Sequence, residues 1–319
     1  MRDFLNKQIV NIVKNNINSE DNLVEVIMNT LSLGKEATYR RIRGEVPFTF
    51  SEIAKLASTF RFSLDSIIGL SFSDVAVVNT KFFNGHNLYE DYKQTLEFYC
   101  TLLKDMNSAS MAKIGLAFNM IPFTFYARYK TLSAFKLFRW MHQMDMFPPS
   151  MPLSDMTLPD DVWKIHQELI SEFDKIQEVT FVLDKNVFAT LVNDINHFIQ
   201  LGYISTEIYR QLKEELNAML DLFECVLKEG GVNPQSNVYI YISNINFDSS
   251  YSYYETEDIT ISSMRVFAVN TFSTQDKDYF EMQKKWIDSL KRYSVLISGC
   301  GEMDRVKFLT KQREYINLL

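Results

Sequence analysis

The sequence predicts a multidomain chain. An all-α domain of five helices occupies residues 1–70, a connecting stretch 71–87, and an α+β body 88–319, where helices cover a small, mainly antiparallel sheet. Three observations support this reading. Short apolar stripes at helical spacing, separated by tight turns, fill the first 70 residues. Longer amphipathic runs fill 88–228. A strand-rich stretch with alternating Val, Ile and Tyr follows at 237–272, before helical spacing returns at 276–317. A length of 319 residues supports two or three hydrophobic cores, and 10 Gly with 7 Pro favour long helices over linkers.

In the first domain, one helix spans Asp3 to about Asn15 on the stripe Phe4, Ile9, Ile12 and Val13. Ser19-Glu20-Asp21 supplies cap chemistry for a second, carrying Leu23, Val26, Ile27 and Leu31. A turn at Ser32-Leu33-Gly34 leads into a third helix, Lys35-Glu36-Ala37-Thr38-Tyr39-Arg40-Arg41-Ile42-Arg43, which ends at Gly44. Beyond Val46-Pro47-Phe48, Thr49 and Glu52 form a T-x-x-E capping box opening a fourth helix on Ile53, Leu56, Ala57 and Phe60. Ser63-Leu64-Asp65 caps a short fifth helix that Gly69 closes. Two helices joined by so short a turn, within a compact helical scaffold, have helix-turn-helix spacing.

Between Phe72 and Asn87 an apolar piece (Val75 to Val78) and the turn signal Asn84-Gly85 mark the boundary with the body. Leu88 to Met106 is an amphipathic helix, Met111 to Met120 a candidate buried strand, and Phe123 to Met144 a helical stretch opened by Pro122. Four prolines between Pro148 and Pro159 form a loop. Further helices run from about Asp161 to Val179, Asn186 to Leu201 and Thr206 to Leu227. Asn237 to Phe247 and Asp258 to Phe272 are two strands joined by a Ser/Tyr-rich link, Asp248 to Glu257. Helices over Asp276 to Lys291 and Glu302 to Asn317 complete the chain.

Composition excludes some classes of protein. With 46% apolar and 23% charged residues the chain is neither disordered nor membrane-spanning. The most apolar window, Met111 to Tyr129, is interrupted by Lys113, Asn119, Pro122 and Arg128. The N-terminus lacks the apolar run of a signal peptide. Cys100, Cys225 and Cys300 are odd in number and at no metal-ligand spacing, which suits a reducing cytoplasm. The net charge of −7 is unevenly spread: residues 1–70 hold 9 Lys+Arg against 8 Asp+Glu, the remainder 24 against 32. Gly34 to Glu45 holds four basic and two acidic residues, and a local positive face suffices for nucleic acid because phosphate attraction acts over about 8 Å at physiological salt.

The third helix carries the most explicit chemistry. Thr38 and Ile42, four apart, face the scaffold, and Ala37 is small enough for the second helix to approach. Glu36, Arg40 and Arg43 share the opposite face, flanked by Lys35 and Tyr39. An arginine there can grip guanine O6 and N7 with two bonds, worth roughly 1–3 kcal/mol of discrimination per base, and Glu36 can accept from cytosine N4. Arg41 and Lys55 are placed for backbone phosphates. The competing reading is a solvated arginine face in an ordinary bundle.

Leu23 to Gly69 resembles the Cro/phage-repressor type of helix-turn-helix domain. The resemblance rests on Tyr39-Arg40-Arg41-Ile42-Arg43-Gly44, on Phe48-Thr49-Phe50-Ser51-Glu52-Ile53 and on Phe62-Ser63-Leu64-Asp65. It is particularly similar to regulators of Bacteroidetes-like bacteria that carry a long C-terminal region. It implies DNA binding by the third helix, with base contact at Lys35, Glu36, Tyr39 and Arg40. Two features depart from the family pattern: no Gln stands among Asn22 to Val26, and Gly34 occupies the position of the usual capping Ser or Thr.

In the body, Phe118, Phe123, Phe125, Tyr126, Tyr129, Phe135, Phe138, Trp140 and Phe147 concentrate aromatic surface, with Met120, Met141, Met144 and Met146 among them. Such a segment can line a small-molecule effector pocket or a homodimer interface, and ordinary core is the stronger alternative. Ser298-Gly299-Cys300-Gly301-Glu302 is a tight turn in preference to a phosphate cradle, since no third glycine follows. His86, His142, His166 and His197 are isolated, and no catalytic, metal or cofactor motif is present. The sequence therefore leads to the expectation of a cytoplasmic, double-stranded-DNA-binding transcription regulator, not an enzyme. A twofold dimer would want half-sites about 10 bp apart or a multiple of that. The alternatives are an enzyme targeted by the helical module, or a protein-interaction module whose arginine face meets an acidic partner.

Overall fold

Four helices come first in the computed structural model: α1 (Arg2–Asn15), α2 (Leu23–Leu31), α3 (Lys35–Ile42) and α4 (Phe50–Phe60). The structure describes residues 2–15, 22–60, 62, 78–80, 88–145, 148, 150–266 and 269–319. Outside the described residues lie the predicted cap at Ser19 to Asp21, the fifth helix at Ser63 to Gly69, most of the Phe72 to Asn87 boundary, and Met146 and Phe147. The chain divides into two units, Met1–Val77 and Val78–Leu319.

The predicted stripes converge in the first unit. Ile9 and Val13 of α1, Ile27 and Leu31 of α2, Phe48, and Leu56 of α4 form its core. Burying each such side chain contributes roughly 1.5–3 kcal/mol. Asn22 caps α2, its side chain accepting from the Val24 N–H at 3.0 Å. Ser32 closes α2 in the left-handed region (φ 56), which non-glycine residues seldom occupy, and Leu33 N–H then reaches Met28 O at 3.0 Å. The predicted capping box is present: Thr49 N–H donates to Glu52 Oε2 at 2.8 Å, and Glu52 N–H to Thr49 Oγ1 at 3.3 Å.

The second unit is an α+β body. Its strands are β1 (Asn79–Thr80), β2 (Lys113–Phe118), β3 (Glu178–Asp184), β4 (Asn237–Ser243), β5 (Tyr251–Glu255), β6 (Thr260–Arg265), β7 (Thr271–Thr274) and β8 (Ser294–Leu296). They form one sheet in the order β1-β7-β6-β5-β2-β3-β4-β8. Only β2 with β3 and β3 with β4 are parallel, so the sheet is mostly antiparallel, as predicted. Its helices are α5 (Leu88–Asn107), α6 (Phe123–Tyr126), α7 (Lys130–Gln143), α8 (Asp160–Phe173), α9 (Val187–Gln200), α10 (Thr206–Glu229), α11 (Lys277–Leu290) and α12 (Glu302–Asn317). The large core joins Ile114, Leu116, Phe181, Leu183 and Ile240 on one sheet face to α5 through α10 and α12. On the other face Ala117, Val182 and Tyr253 meet Phe280, Ile287 and Leu290 of α11. Gly115, paired with Tyr253 across β2 and β5, leaves room for the tyrosine ring, which a Cβ at that position would strike.

Three sequence-based assignments are corrected. Helix α8 ends at Phe173, short of Val179, and the following residues form β3, the sheet's middle parallel strand. Val179 to Leu183 is buried on both faces, and a short continuous apolar run has no period to distinguish strand from helix. The link at Asp248 to Glu257 contains β5, and Asp258 to Phe272 contains β6 and the start of β7. Serines at buried positions hide these strands from a hydrophobic pattern; Ser252 and Ser263, partners across β5 and β6, share a hydrogen bond of 2.6 Å. Finally, the Phe123 to Met144 stretch breaks into α6 and α7, because Tyr129 is extended. The Glu215 carboxylate takes the first free N–H groups of α7, Thr131 at 3.1 Å and Leu132 at 2.7 Å.

Candidate functional site

Helix α3 begins at Lys35 after Gly34, which is extended (φ −72) and gives no side-chain cap. Thr38 is fully buried, and its N–H and Oγ1 bond Gly34 O at 3.0 and 3.1 Å, fixing the first turn. Ile42 packs against the unit's core. The opposite face is open: Lys35, Glu36, Tyr39, Arg40 and Arg43 are all exposed, with Arg40 and Arg43 side chains 53% and 54% accessible. Glu45 lies 3.7 Å from Arg40 Nε and 2.9 Å from Arg43 Nε, and Glu36 lies 3.8 Å from Arg43. Exposed pairs of this kind contribute roughly 0–1 kcal/mol, so these guanidiniums can exchange carboxylates for another acceptor.

Arg41 is placed differently from its expected position beside phosphate. Its side chain is 14% exposed and turned into the unit: Nε and Nη2 grip the Glu52 carboxylate at 2.9 and 2.8 Å, and Nη1 bonds Ala37 O at 3.2 Å. Glu52 therefore serves both the α4 cap and the α3–α4 clamp. Partial burial pushes its pKa up, but the hydrogen bonds from Arg41 and Thr49 outweigh that and hold it below the ordinary carboxylate value. Lys55, on α4, is exposed.

Sequence reasoning missed Asn6. Buried in α1, it donates to Arg41 O at 3.2 Å and Val46 O at 3.3 Å and accepts from Phe48 N–H at 3.3 Å. One amide thus ties the turn after α3 to the first helix. A polar residue within an otherwise apolar stripe was the available signal. Phe50, 77% exposed at the start of α4, is a further accessible apolar group of this unit.

The aromatic segment of the body divides. Phe138 and Trp140 lie in the main core and Tyr129 packs against it. Phe118, Phe123 and Tyr126 line a cavity of about 140 Å³ between the α5–α8 helices and strands β2, β5, β6 and β7. Lys136, Arg139 and Arg265 also line it, and sequence reasoning did not single them out. His166 is fully buried, 3.0 Å from the Tyr92 hydroxyl, and burial lowers its pKa to about 4. Ser298 to Glu302 is a turn: Gly299 and Gly301 adopt φ 67 and 68, and Ser298 Oγ accepts from Ile240 N–H at 2.9 Å. Among the described residues, no group of three His, Cys, Asp or Glu side chains could hold a metal, and no helix is long and apolar enough to cross a membrane.

A short turn between α2 and α3, with α3 presenting a cationic outer face, defines a helix-turn-helix type of unit. Residues 7–81 match the BetR domain, a helix-turn-helix-type DNA-binding domain family, and that match suggests a DNA-binding regulator role. No curated protein matches the chain.

Proposed function

We propose that the chain is a sequence-specific transcriptional regulator, not an enzyme, and that it reads double-stranded DNA by setting α3 in the major groove, in the manner of Cro/phage-repressor domains. The observation that carries this is the exposed α3 face within the BetR-matching segment. Lys35, Tyr39, Arg40 and Arg43 stand out from a helix fixed by Thr38, by the Arg41–Glu52 clamp and by Asn6. Rigid support of this kind matters because groove recognition needs a pre-positioned donor set. Arg40 is the leading candidate for guanine, with Lys35, Glu36 and Tyr39 on neighbouring bases. Arg43 and Lys55 serve the backbone, and Arg41 acts through the scaffold instead of touching phosphate. The body supplies homodimerisation, effector sensing, or both.

The test is Arg40→Ala in the full chain, against an operator selected from a random duplex library by the unaltered protein. Loss of a bidentate guanine contact weakens binding about 5- to 150-fold, corresponding to roughly 1–3 kcal/mol, and relaxes preference at one base pair. The unfolding midpoint should stay put because the residue is exposed. Undiminished affinity and preference in a folded Arg40→Ala protein refute the reading.

A further inference from the structure

We infer that the body cavity is a binding site for a compact organic carboxylate, an aromatic or short alkyl monoanion, whose apolar part lies against Phe118, Phe123 and Tyr126 and whose carboxylate is taken by Arg265 and Lys136. The inference stands without the DNA-binding reading, because it concerns the body alone.

Size and walls set the ligand's body. A volume of about 140 Å³ is close to the ~150 Å³ of an engineered apolar cavity that accepts benzene. Leu96, Leu116 and Leu137 complete largely apolar walls around the three aromatics. An inorganic ion would leave most of this surface unfilled.

Charge sets the ligand's head. Three basic side chains line the cavity, and among the described residues only Asp194 forms an ion pair with any of them, engaging Arg139. Arg265 has no carboxylate partner among those residues. Its Nη1 sits 3.0 Å from Met120 Sδ, and its guanidinium carbon 5.5 Å from the Phe118 ring centroid. Lys136 Nζ lies 5.4 Å from the Tyr126 ring centroid. A thioether and two ring faces are weak replacements for an anion, and a guanidinium cannot shed its proton. Burial, reinforced by Arg139 and Arg265, lowers the Lys136 pKa to about 7. Two lining groups that can donate, Arg139 Nε and Thr124 Oγ1, are buried without a hydrogen-bond partner among the described residues. The cavity thus has surplus positive charge and surplus donors, the complement of a bound anion. The planar fork of Arg265 suits a carboxylate in particular.

The experiment is calorimetric titration of the full chain with benzoate, benzamide and benzamidine, planar molecules of one size carrying −1, 0 and +1 charge. Phenylacetate, hexanoate and phenyl phosphate extend the series. Saturable 1:1 carboxylate binding is expected, at least tenfold tighter for benzoate than for benzamide, with no heat from benzamidine. Arg265→Gln should weaken benzoate at least tenfold and leave benzamide unchanged. Equal affinity for benzoate and benzamide, or no binding by any of the three carboxylates, overturns the proposal. So does phenyl phosphate binding tighter than every carboxylate. The comparison of isosteres on the unaltered protein decides the matter even if the variant fails to fold.

Discussion

Replacing Glu52 by Gln tests whether helix α3 is held by the clamp described above. The carboxylate accepts from Arg41 Nε and Nη2 at 2.9 and 2.8 Å and from Thr49 N–H at 2.8 Å, with only 15% of its side chain exposed. Hydrogen bonds to charged groups contribute about 1.5–3 kcal/mol each, and a pair broken by removing one charge costs about 3–5 kcal/mol when buried. The Gln amide keeps one acceptor and the partial exposure screens the loss, so about 2–3 kcal/mol is expected. For a unit of this size that corresponds to a fall in midpoint on the order of 10–20 °C. Calorimetry of the full chain, with amide exchange assigning the change to α3 and α4, reads it directly. In a double-mutant cycle with Arg41→Met, the coupling should be about 2 kcal/mol. The pH dependence has a defined sign. Because the folded Glu52 pKa lies below the ordinary value of 4.5, the clamp contributes fully above that pH and is lost as pH falls through the folded value. A shift under about 0.5 kcal/mol, or one confined to the body, would show that α3 is held by apolar packing alone.

Other outcomes follow from the same geometry. Lys55→Ala should weaken operator binding uniformly across sequences and reduce the salt slope by about one unit; an unchanged slope would remove Lys55 from the phosphate contacts. Gly115→Ala should destabilise the body by about 1–3 kcal/mol in denaturant titration, since the added Cβ meets the Tyr253 ring, and a neutral result would mean that the ring swings aside freely. The imidazole of His166, held near 4, should show no NMR titration between pH 8 and 5. Stability should then fall by up to about 1.4 kcal/mol per pH unit as pH drops from 6.5 toward 4, because only the unfolded chain takes the proton; titration near 6.5 would refute the buried assignment.

How much of this could be read beforehand depended on whether apolar spacing alone determines a residue's position. In α2 and α4 it does: Ile27, Leu31 and Leu56 sit where their periodicity places them, and the Thr49–Glu52 box is a local motif closed within four residues. In the sheet it does not. The β3 strand is buried on both faces and has no period, while β5 and β6 bury serines whose partners lie in another strand. The cavity was partly legible. Its aromatic walls stood out as a cluster, but Lys136, Arg139 and Arg265 acquire meaning only when α7 and β6 bring them together. Lys136 and Arg139, three apart on a helix otherwise rich in buried apolar residues, were the overlooked signal.

Arg41 illustrates why counting charges misjudges the face a helix presents. Four basic residues against two acidic ones between Gly34 and Glu45 suggest a strongly attractive face. Once Arg41 is committed to Glu52, the exposed set is Lys35, Arg40 and Arg43 against Glu36 and Glu45. The field at the α3 surface is therefore weakly positive. Non-specific duplex affinity, which is essentially all phosphate attraction, should be low for such a helix. On the proposed reading, direct contacts must then carry most of the binding, and those of Arg40 and Arg43 become available only as Glu45 releases them. A wrong sequence offers no bidentate acceptor in return for that release. On the proposed reading the difference between operator and bulk DNA therefore rests on the guanine contact, while Glu45 lowers both affinities.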